Sequence, residues 1–466
     1  MAPATPGSPT PTPPPPSTRP VGPEQGADAA RSPERRRRIR AFNLWDGGMS
    51  AFSSVILTFV FATYVTSGVA AHGIEGEAAI KAARDHGSEV LSTAQAWAAV
   101  VIALLAPLLG NLADAGGRRN LLLRVTTLAT IATVLCMPLV RMDPSYLWLG
   151  AILIAVGVVF SELAGVFTNS VLPQISTPAD RGRISGTAWA TGYWGSILCL
   201  GIVLLGFVMP GTGLLGITAE DGWNLRAIPV FVALWMLVGT LPLLRRAPAM
   251  PRRADAARWT PWQGYLDIGR RLARAWRDEP VMLAYLVSSA IYRDGLGAIF
   301  SLAGVLAANA YGFSTTEVIV FGIAANLIAG FGVFLGGRAD DRFGPRAVII
   351  AGCIGIIVIG AVVLLAGTTL AFWICGLLIC LFVGPVQSAS RNLLTRLSKE
   401  SQETEDFGLY ATTGRAFGFL GPAAFALCVG LFDDTRMGML GILAVLVLGL
   451  AAFAPIRLGA AGRSAR

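Results

Sequence analysis

The chain has 466 residues, 54% of them hydrophobic and only 14% charged, with a mean hydropathy of +0.62 and a formal net charge of +9. Soluble domains average about 25% charged residues, so a water-soluble enzyme or binding domain is excluded and most of the chain must lie in lipid. The positive balance then reads as a membrane-orientation signal, and nucleic-acid binding is the poorer reading of it.

Residues 1–40 form a tail containing "PTPTPPPPSTRP", too poor in apolar residues to fold alone and expected to be disordered. It has no hydrophobic segment before Phe42, which argues against a cleaved signal. Arg35, Arg36, Arg37, Arg38 and Arg40 end it and read as an anchor that keeps the N-terminus cytoplasmic.

Twelve apolar stretches follow, each near the roughly 20 residues a helical span needs. They fall at 42–69, 91–113, 120–140, 146–172, 184–209, 226–244, 281–308, 316–337, 346–367, 371–394, 407–431 and 437–456. The expected fold is all-α, with two pseudo-symmetric six-helix halves at 41–245 and 281–457 and a short cytoplasmic tail at 458–466. Between the halves, 246–280 is expected as a cytoplasmic linker. Its Trp262, Tyr265, Leu266, Leu272 and Trp276 share one face of an amphipathic helix at the lipid headgroups. Lys81, Arg84, Arg141, Arg226 and Arg436 lie opposite the N-terminus and nearly all other basic residues lie on its side, so both termini are expected in the cytoplasm. The bias toward Arg, Ala and Gly suggests a GC-rich bacterial genome and hence a bacterial plasma membrane.

One loop motif occurs twice. Gly110, Asp114, Gly117 and Arg119 follow the second span, and Gly337, Asp341, Gly344 and Arg346 follow the eighth at the same spacing. An internal repeat of this kind marks two homologous membrane halves, the plan of many secondary transporters. The motif sits at the cytoplasmic rim, too far from the midplane to hold cargo. Asp114 is expected against the N-terminus of helix 11 and Asp341 against that of helix 5, as gating contacts. Gly186 to Gly192 in span 5 likewise parallels Gly408 to Gly414 in span 11.

Charges inside spans cost about 2.5–3.5 kcal/mol each on insertion scales and normally face a wet interior. Glu162, Arg293 and Asp294 lie deepest; Arg415 sits about two turns in from its end; Asp46 and Arg391 lie nearer the cytoplasmic surface. Helical spacing stacks Asp46, Ser50 and Ser53 on one face, Glu162, Val166 and Asn169 on another, and Gln387 with Arg391 on a third. Arg293 and Asp294 point about 100° apart, so both are not expected to face the centre. Glu162, Asp294 and Asp46 are candidate proton-coupling carboxyls, since burial favours the neutral form. Arg415, Arg293, Asn169, Gln387 and Tyr193 are candidate substrate contacts, Arg415 for a carboxylate. The structural alternative is an ion pair of Arg415 with Glu162 or Asp46. Trp189, Trp194 and Tyr292 are further aromatic residues for a cavity wall or for packing.

The six cysteines lie within spans without metal-ligand spacing, and His72 and His86 are placed together in one outer loop. No cofactor or metal is expected, and a membrane-embedded transferase lacks a convergent catalytic set.

The loop motif resembles that of the major facilitator superfamily. "NLWDGGMSAFSSVILTFVF", "NSVLPQISTPADRGRISGTAWATGYWG", "IYRDGLGAIF" and "GPVQSASRNLLTRLSKESQETEDFGLYATTGRAFGFLGP" resemble its vacuole-effluxer-like branch of autophagy-related amino-acid exporters over about residues 41–455. Gly47 and Met49 stand where that branch usually has Trp and Asn, and Pro345 replaces a basic residue in the second loop. The resemblance implies alternating access around a cavity between the halves, with a small-molecule substrate, protons and the bilayer as partners. The expectation is a monomeric, proton-coupled exporter or exchanger of an amino acid or similar metabolite. The missing Gly-Pro signature in span 5 argues against drug efflux. The competing class is a sensor or assembly factor of transporter shape that moves nothing.

Overall fold

The computed structural model describes residues 32–209, 222–249, 270, 277, 279–399 and 402–456, apart from the side chains at 315, 316 and 319. The expected amphipathic linker helix, most of the N-terminal tail and the C-terminal tail lie outside the described residues. Among the described residues, twelve helices are long and apolar enough to cross a membrane: α1 (Pro33–Val69), α2 (Glu77–Gly116), α3 (Arg119–Leu139), α4 (Pro144–Ile175), α5 (Arg181–Val208), α6 (Trp223–Arg246), α7 (Pro280–Tyr311), α8 (Val320–Phe343), α9 (Pro345–Ala366), α10 (Thr369–Leu397), α11 (Glu403–Phe432) and α12 (Thr435–Phe453). Helices satisfy their own backbone groups, which lipid cannot do, so long apolar runs of this kind have little other choice. Leu365, Val238 and Leu205, 86%, 74% and 71% exposed, belong to the outer faces left for lipid tails.

Two boundaries differ from the sequence expectation. α1 begins at Pro33, so the arginine run is its first turns and no part of a disordered tail. Ser32 caps it by accepting from the Arg35 N–H at 3.2 Å, and Pro33 sits where a helix loses nothing by lacking an N–H. α2 begins at Glu77 because "EAAIKAARDHGSEV" is rich in strong helix formers. His86 is therefore on that helix, beside Glu89, and not in a loop with His72.

Each half packs within itself, α1 on α5 and α6, and α7 on α11 and α12. The halves meet along α2 with α11 and α5 with α8, at the end of the bundle where α1 begins. Lipid supplies no hydrophobic drive for such contacts, so they depend on small residues that let backbones approach. A Cβ at Gly408 would lie 2.5 Å from the Ala106 carbonyl, and one at Gly186 would lie 2.6 Å from the Val333 carbonyl. The repeated segments thus make equivalent crossings. Pro107 in α2 cannot donate to the Ala103 carbonyl one turn back. The Thr412 hydroxyl of α11 donates to that carbonyl instead, at 3.0 Å, tying one half to the other.

Candidate functional site

Both loop motifs seal the same end of the bundle. Asp114, 1% exposed, accepts through Oδ2 from the Glu405 N–H at 2.9 Å, in the first turn of α11. Asp341 accepts through Oδ2 from the Arg183 N–H at 3.1 Å, in the first turn of α5. A carboxylate at a helix N-terminus meets unpaired donors and the positive end of the dipole. Gly110 and Gly337 make room: a Cβ at either would come within 2.7 Å of a carbonyl of the opposite half, that of Thr404 or of Gly182. Gly117 and Gly344, at φ +63° and +83°, turn the chain at the ends of α2 and α8.

The two arginines of the motif do not join this seal. Arg119, fully buried, donates to the Ser170 carbonyl (3.2 Å), Gln174 Oε1 (2.8 Å) and, two residues past the end of α6, the Pro248 carbonyl (2.7 Å). Arg346 donates to the Ala454 carbonyl at 2.7 Å. Each therefore fastens the last helix of its half, α6 or α12, to the motif loop. Spacing alone grouped them with the aspartates; the long side chain turns the other way because its donors need carbonyls at a helix end.

Beyond the seal, three lobes of one cavity lie between the halves. The central lobe, about 490 Å³, includes Glu162, Asn169, Trp189, Arg293, Asp294, Gln387, Arg391, Tyr410 and Arg415 in its wall. A second lobe of about 360 Å³ shares Asn169, Trp189 and Arg391 with it and adds Asp46, Ser50, Ser53 and Tyr193. A third, about 470 Å³ and mostly apolar, is lined in part by Phe300, Phe321 and Phe372. Arg293 and Asp294 both reach the central lobe, because the cavity wraps around α7 more widely than a single helix face. Tyr193 stacks against Phe300. Trp194 instead packs on Phe331 and Phe334 of α8, and Tyr292 is fully buried with its hydroxyl 2.7 Å from Ser390 Oγ.

Opposite charges in the cavity are mostly paired across the halves. Arg415 of α11 donates to Glu162 of α4, with the side chains 34% and 44% exposed. At that exposure a pair contributes about 0–1 kcal/mol, too little to explain two buried-span charges by stability alone. Arg391 of α10 is 4% exposed and crosses into the first half. Its guanidinium donates to Ser185 Oγ (3.0 Å), the Ser185 carbonyl (2.7 Å) and Asn169 Oδ1 (3.0 Å), and lies 3.4 Å from Asp46 Oδ2. Sequence depth placed Arg391 and Asp46 near the surface; the closed end of the bundle covers them. The signal was an arginine inside the apolar tenth span, and its role as a cross-half fastener was missed. Arg293 lies 3.6 Å over the Tyr410 ring and has no carboxylate partner among the described residues. Asp294 Oδ2 accepts from the Gly421 N–H at 2.5 Å.

A second missed feature sits in the seal. Asp340, 1% exposed, accepts through both oxygens from Asn392 Nδ2 at 2.9 Å each. The first copy of the motif has Ala113 there.

Comparison with known proteins agrees with this architecture. The family model described as "Vacuole effluxer Atg22 like" matches residues 80–465. The chain is 22% identical over 418 residues to the uncharacterized MFS-type transporter YxiO of Bacillus subtilis, covering 88% of this chain and 93% of that protein. It is 25% identical over 286 residues to Autophagy-related protein 22 of Cryptococcus neoformans, covering 57% of this chain and 51% of that protein. Among solved structures, the major facilitator transporter FucP in its outward conformation superposes with a TM-score of 0.66 at 12% identity, over 92% of this chain and all of that one. A bacterial homologue of the iron transporter ferroportin, outward-facing, gives 0.64 at 14% identity, over 91% of this chain and 99% of that one. These likenesses establish the fold. The family and the neighbours are transporters, not enzymes.

Proposed function

Because the chain belongs to the vacuole effluxer Atg22-like family of major facilitator transporters, we propose that it is a proton-coupled exporter or exchanger of an amino acid or related small metabolite. It works by alternating access in a bacterial plasma membrane. The observation that carries this reading is a charged cavity between two halves, sealed at one end by a matched pair of carboxylate-to-helix contacts. The sealed end is the cytoplasmic one, since the basic residues concentrate there, and the cavity faces outward.

Cargo enters the central lobe between the arginines and the acids. Arg293 is the first choice for its carboxylate, having no acidic partner to displace among the described residues, with Arg415 the second. Asn169, Gln387 and Tyr193 supply the neutral polar wall. Glu162 is the leading coupling carboxyl: it faces the open cavity, and a proton on it frees Arg415. Asp46 and Asp294 are the alternatives. Opening to the cytoplasm requires Asp114 and Asp341 to leave α11 and α5 and Arg391 to leave Ser185 and Asn169.

The test is uptake into liposomes by the purified full chain, with a panel of labelled metabolites and an imposed pH gradient. Gradient-driven accumulation of an amino acid is expected. A folded protein that moves no member of the panel under any gradient would favour the sensor reading. Orientation is checked separately, in a background without the native cysteines: His86→Cys should react with an impermeant external reagent and Lys399→Cys should not.

A further inference from the structure

Helix α11 is broken where it borders the cavity. Its inner segment Glu403–Phe417 closes with the Gly418 N–H on the Arg415 carbonyl at 3.3 Å, and an outer segment Leu420–Phe432 follows. Gly418 and Pro422 are part of the central lobe's wall. A new helix start leaves its first N–H groups without intrahelical partners. Pro422 has none to offer, and the Ala423 N–H reaches the Phe419 carbonyl at 2.9 Å. The Gly421 N–H, at the second position, is taken by Asp294 of α7 at 2.5 Å. That is the position an N-cap side chain normally serves, yet the local N-cap is Phe419, whose side chain has no acceptor. A Cβ at Gly421 would lie 2.6 Å from the Ala298 Cβ and 3.2 Å from Asp294 Oδ2, so only glycine lets α7 come close enough.

We propose that Asp294 is a positioning residue, an N-cap supplied from α7 that holds the outer segment of α11, and that neutralising it from the cavity loosens that segment. Within Leu420–Phe432 only Gly421 is buried, and apart from this contact the segment rests on α12, where Gly438 and Gly441 make room for Phe425 and Ala424. Asp294 is also the one cavity acid with no arginine partner among the described residues, Glu162 and Asp46 having Arg415 and Arg391. The charged groups around it are Arg293 on α7 itself, Arg415 on the inner segment, Glu162 on α4 and Arg391 on α10, while α12 contributes none from Gly438 to Phe453. A carboxylate bond to an N–H is about twice as strong as a neutral one. A proton or a cargo ammonium at Asp294 keeps the oxygen in place and removes that advantage. The wall of the outer mouth then loosens when the cavity is loaded, a step that rests on the transporter reading, whereas the cap does not.

Hydrogen exchange on the full chain in lipid nanodiscs, without cargo and corrected for intrinsic rates, tests the cap. Asp294→Ala should speed exchange across 419–432 roughly 5- to 30-fold, the range for a lost cap of one to two kcal/mol, while 403–417 keeps its protection. Asp294→Asn, which retains an oxygen without charge, should fall between, and acidification should move wild type toward it. Adding Phe419→Asn to Asp294→Ala supplies a local cap at an exposed site and should restore protection. Unchanged exchange at 419–432 in Asp294→Ala, or equal loss across all of α7 and α11, overturns the cap. Should Asp294→Ala not fold, a wild-type segment indifferent to acidification overturns it as well. A protein that passes these tests and moves nothing in liposomes would sink the transport reading and leave the cap standing.

Discussion

Replacing Asp114 by Asn should open the sealed end of the molecule. The substitution keeps an oxygen near the Glu405 N–H but removes the charge that faces the start of α11. A charge at a helix N-terminus contributes about 0.3–1 kcal/mol when exposed and up to about 2 kcal/mol when partly buried. Asp114 is 1% exposed, which puts it at the upper end. A loss of one to two kcal/mol multiplies the inward-open to outward-open ratio by about 5 to 30. Nitroxide labels at Arg118 and Lys399, both exposed and on opposite halves, would report the change as a longer distance component by electron–electron resonance. Asp341→Asn should do the same more weakly, because Asp341 is less buried and solvent screens its charge. Turnover should fall in both while affinity within either conformation stays near the parent value. Lost binding with an unchanged distance distribution would refute the gating argument for these two residues.

Glu162→Gln should abolish gradient-driven accumulation yet leave exchange, which moves no net proton; retention of accumulation at the parent level would remove Glu162 from the coupling role. If Glu162 is only half of an ion pair, the loss should instead be in thermal stability and be restored by neutralising Arg415 as well. Arg391→Gln leaves Asp46 buried without its cation, so a destabilisation of about 3–5 kcal/mol is expected by thermal melting, and Arg391→Lys should recover only part of it because lysine lacks the planar fork. At the start of α5, burial alone would raise Asp180, but the Arg35 guanidinium at 2.5 Å and the Thr177 N–H and hydroxyl outweigh it and hold the carboxyl below its usual range. A carboxyl depressed in the folded state stabilises above its unfolded value, about pH 3.9, and loses that contribution as pH falls through the folded value. The stability gap between wild type and Asp180→Asn, about 1 kcal/mol, should therefore be flat from neutral pH to about pH 4 and vanish only below it, as melting against pH would show.

Much of this arrangement was legible in the sequence because lipid leaves few choices. Apolar length fixed the twelve spans, and the repeated Gly-x₃-Asp loop located both ends of the seal before any coordinate. Charges inside spans pointed to the cavity wall, since hydrocarbon tolerates them nowhere else. Direction was the harder part. The motif gave Asp114 and Arg119 a common address; the reach of Asp114 to helix 11 was expected, but only the fold shows that Arg119 runs back to Pro248. Depth along a span likewise misplaced Arg391, because cover comes from the neighbouring half and not from its own helix. Asp340 stood beside Asp341 in the second motif, and its burial against Asn392 depends on a helix fifty residues away in sequence.

The two helices whose starts the motif aspartates hold share one construction, and that sharing links the seal to the cavity. α5 has its N-terminus held by Asp341, bears Ser185 against Arg391 two residues on, and one turn later brings Trp189 into the cavity wall. α11 has its N-terminus held by Asp114, its Thr412 on the Ala103 carbonyl of α2, and next along its length Arg415 facing Glu162. A helix that is rigid over these few turns cannot shift at the cavity and stay still at the seal. Under the proposed function, cargo that draws Arg415 away from Glu162 would strain the contact at Asp114, and cargo pressing on Trp189 would strain the one at Asp341. Neither contact exceeds about 2 kcal/mol, so differential binding of that size is enough to release it. Opening would also have to release Arg391 from Ser185 and Asn169, so cargo must offset more than the two carboxylate contacts.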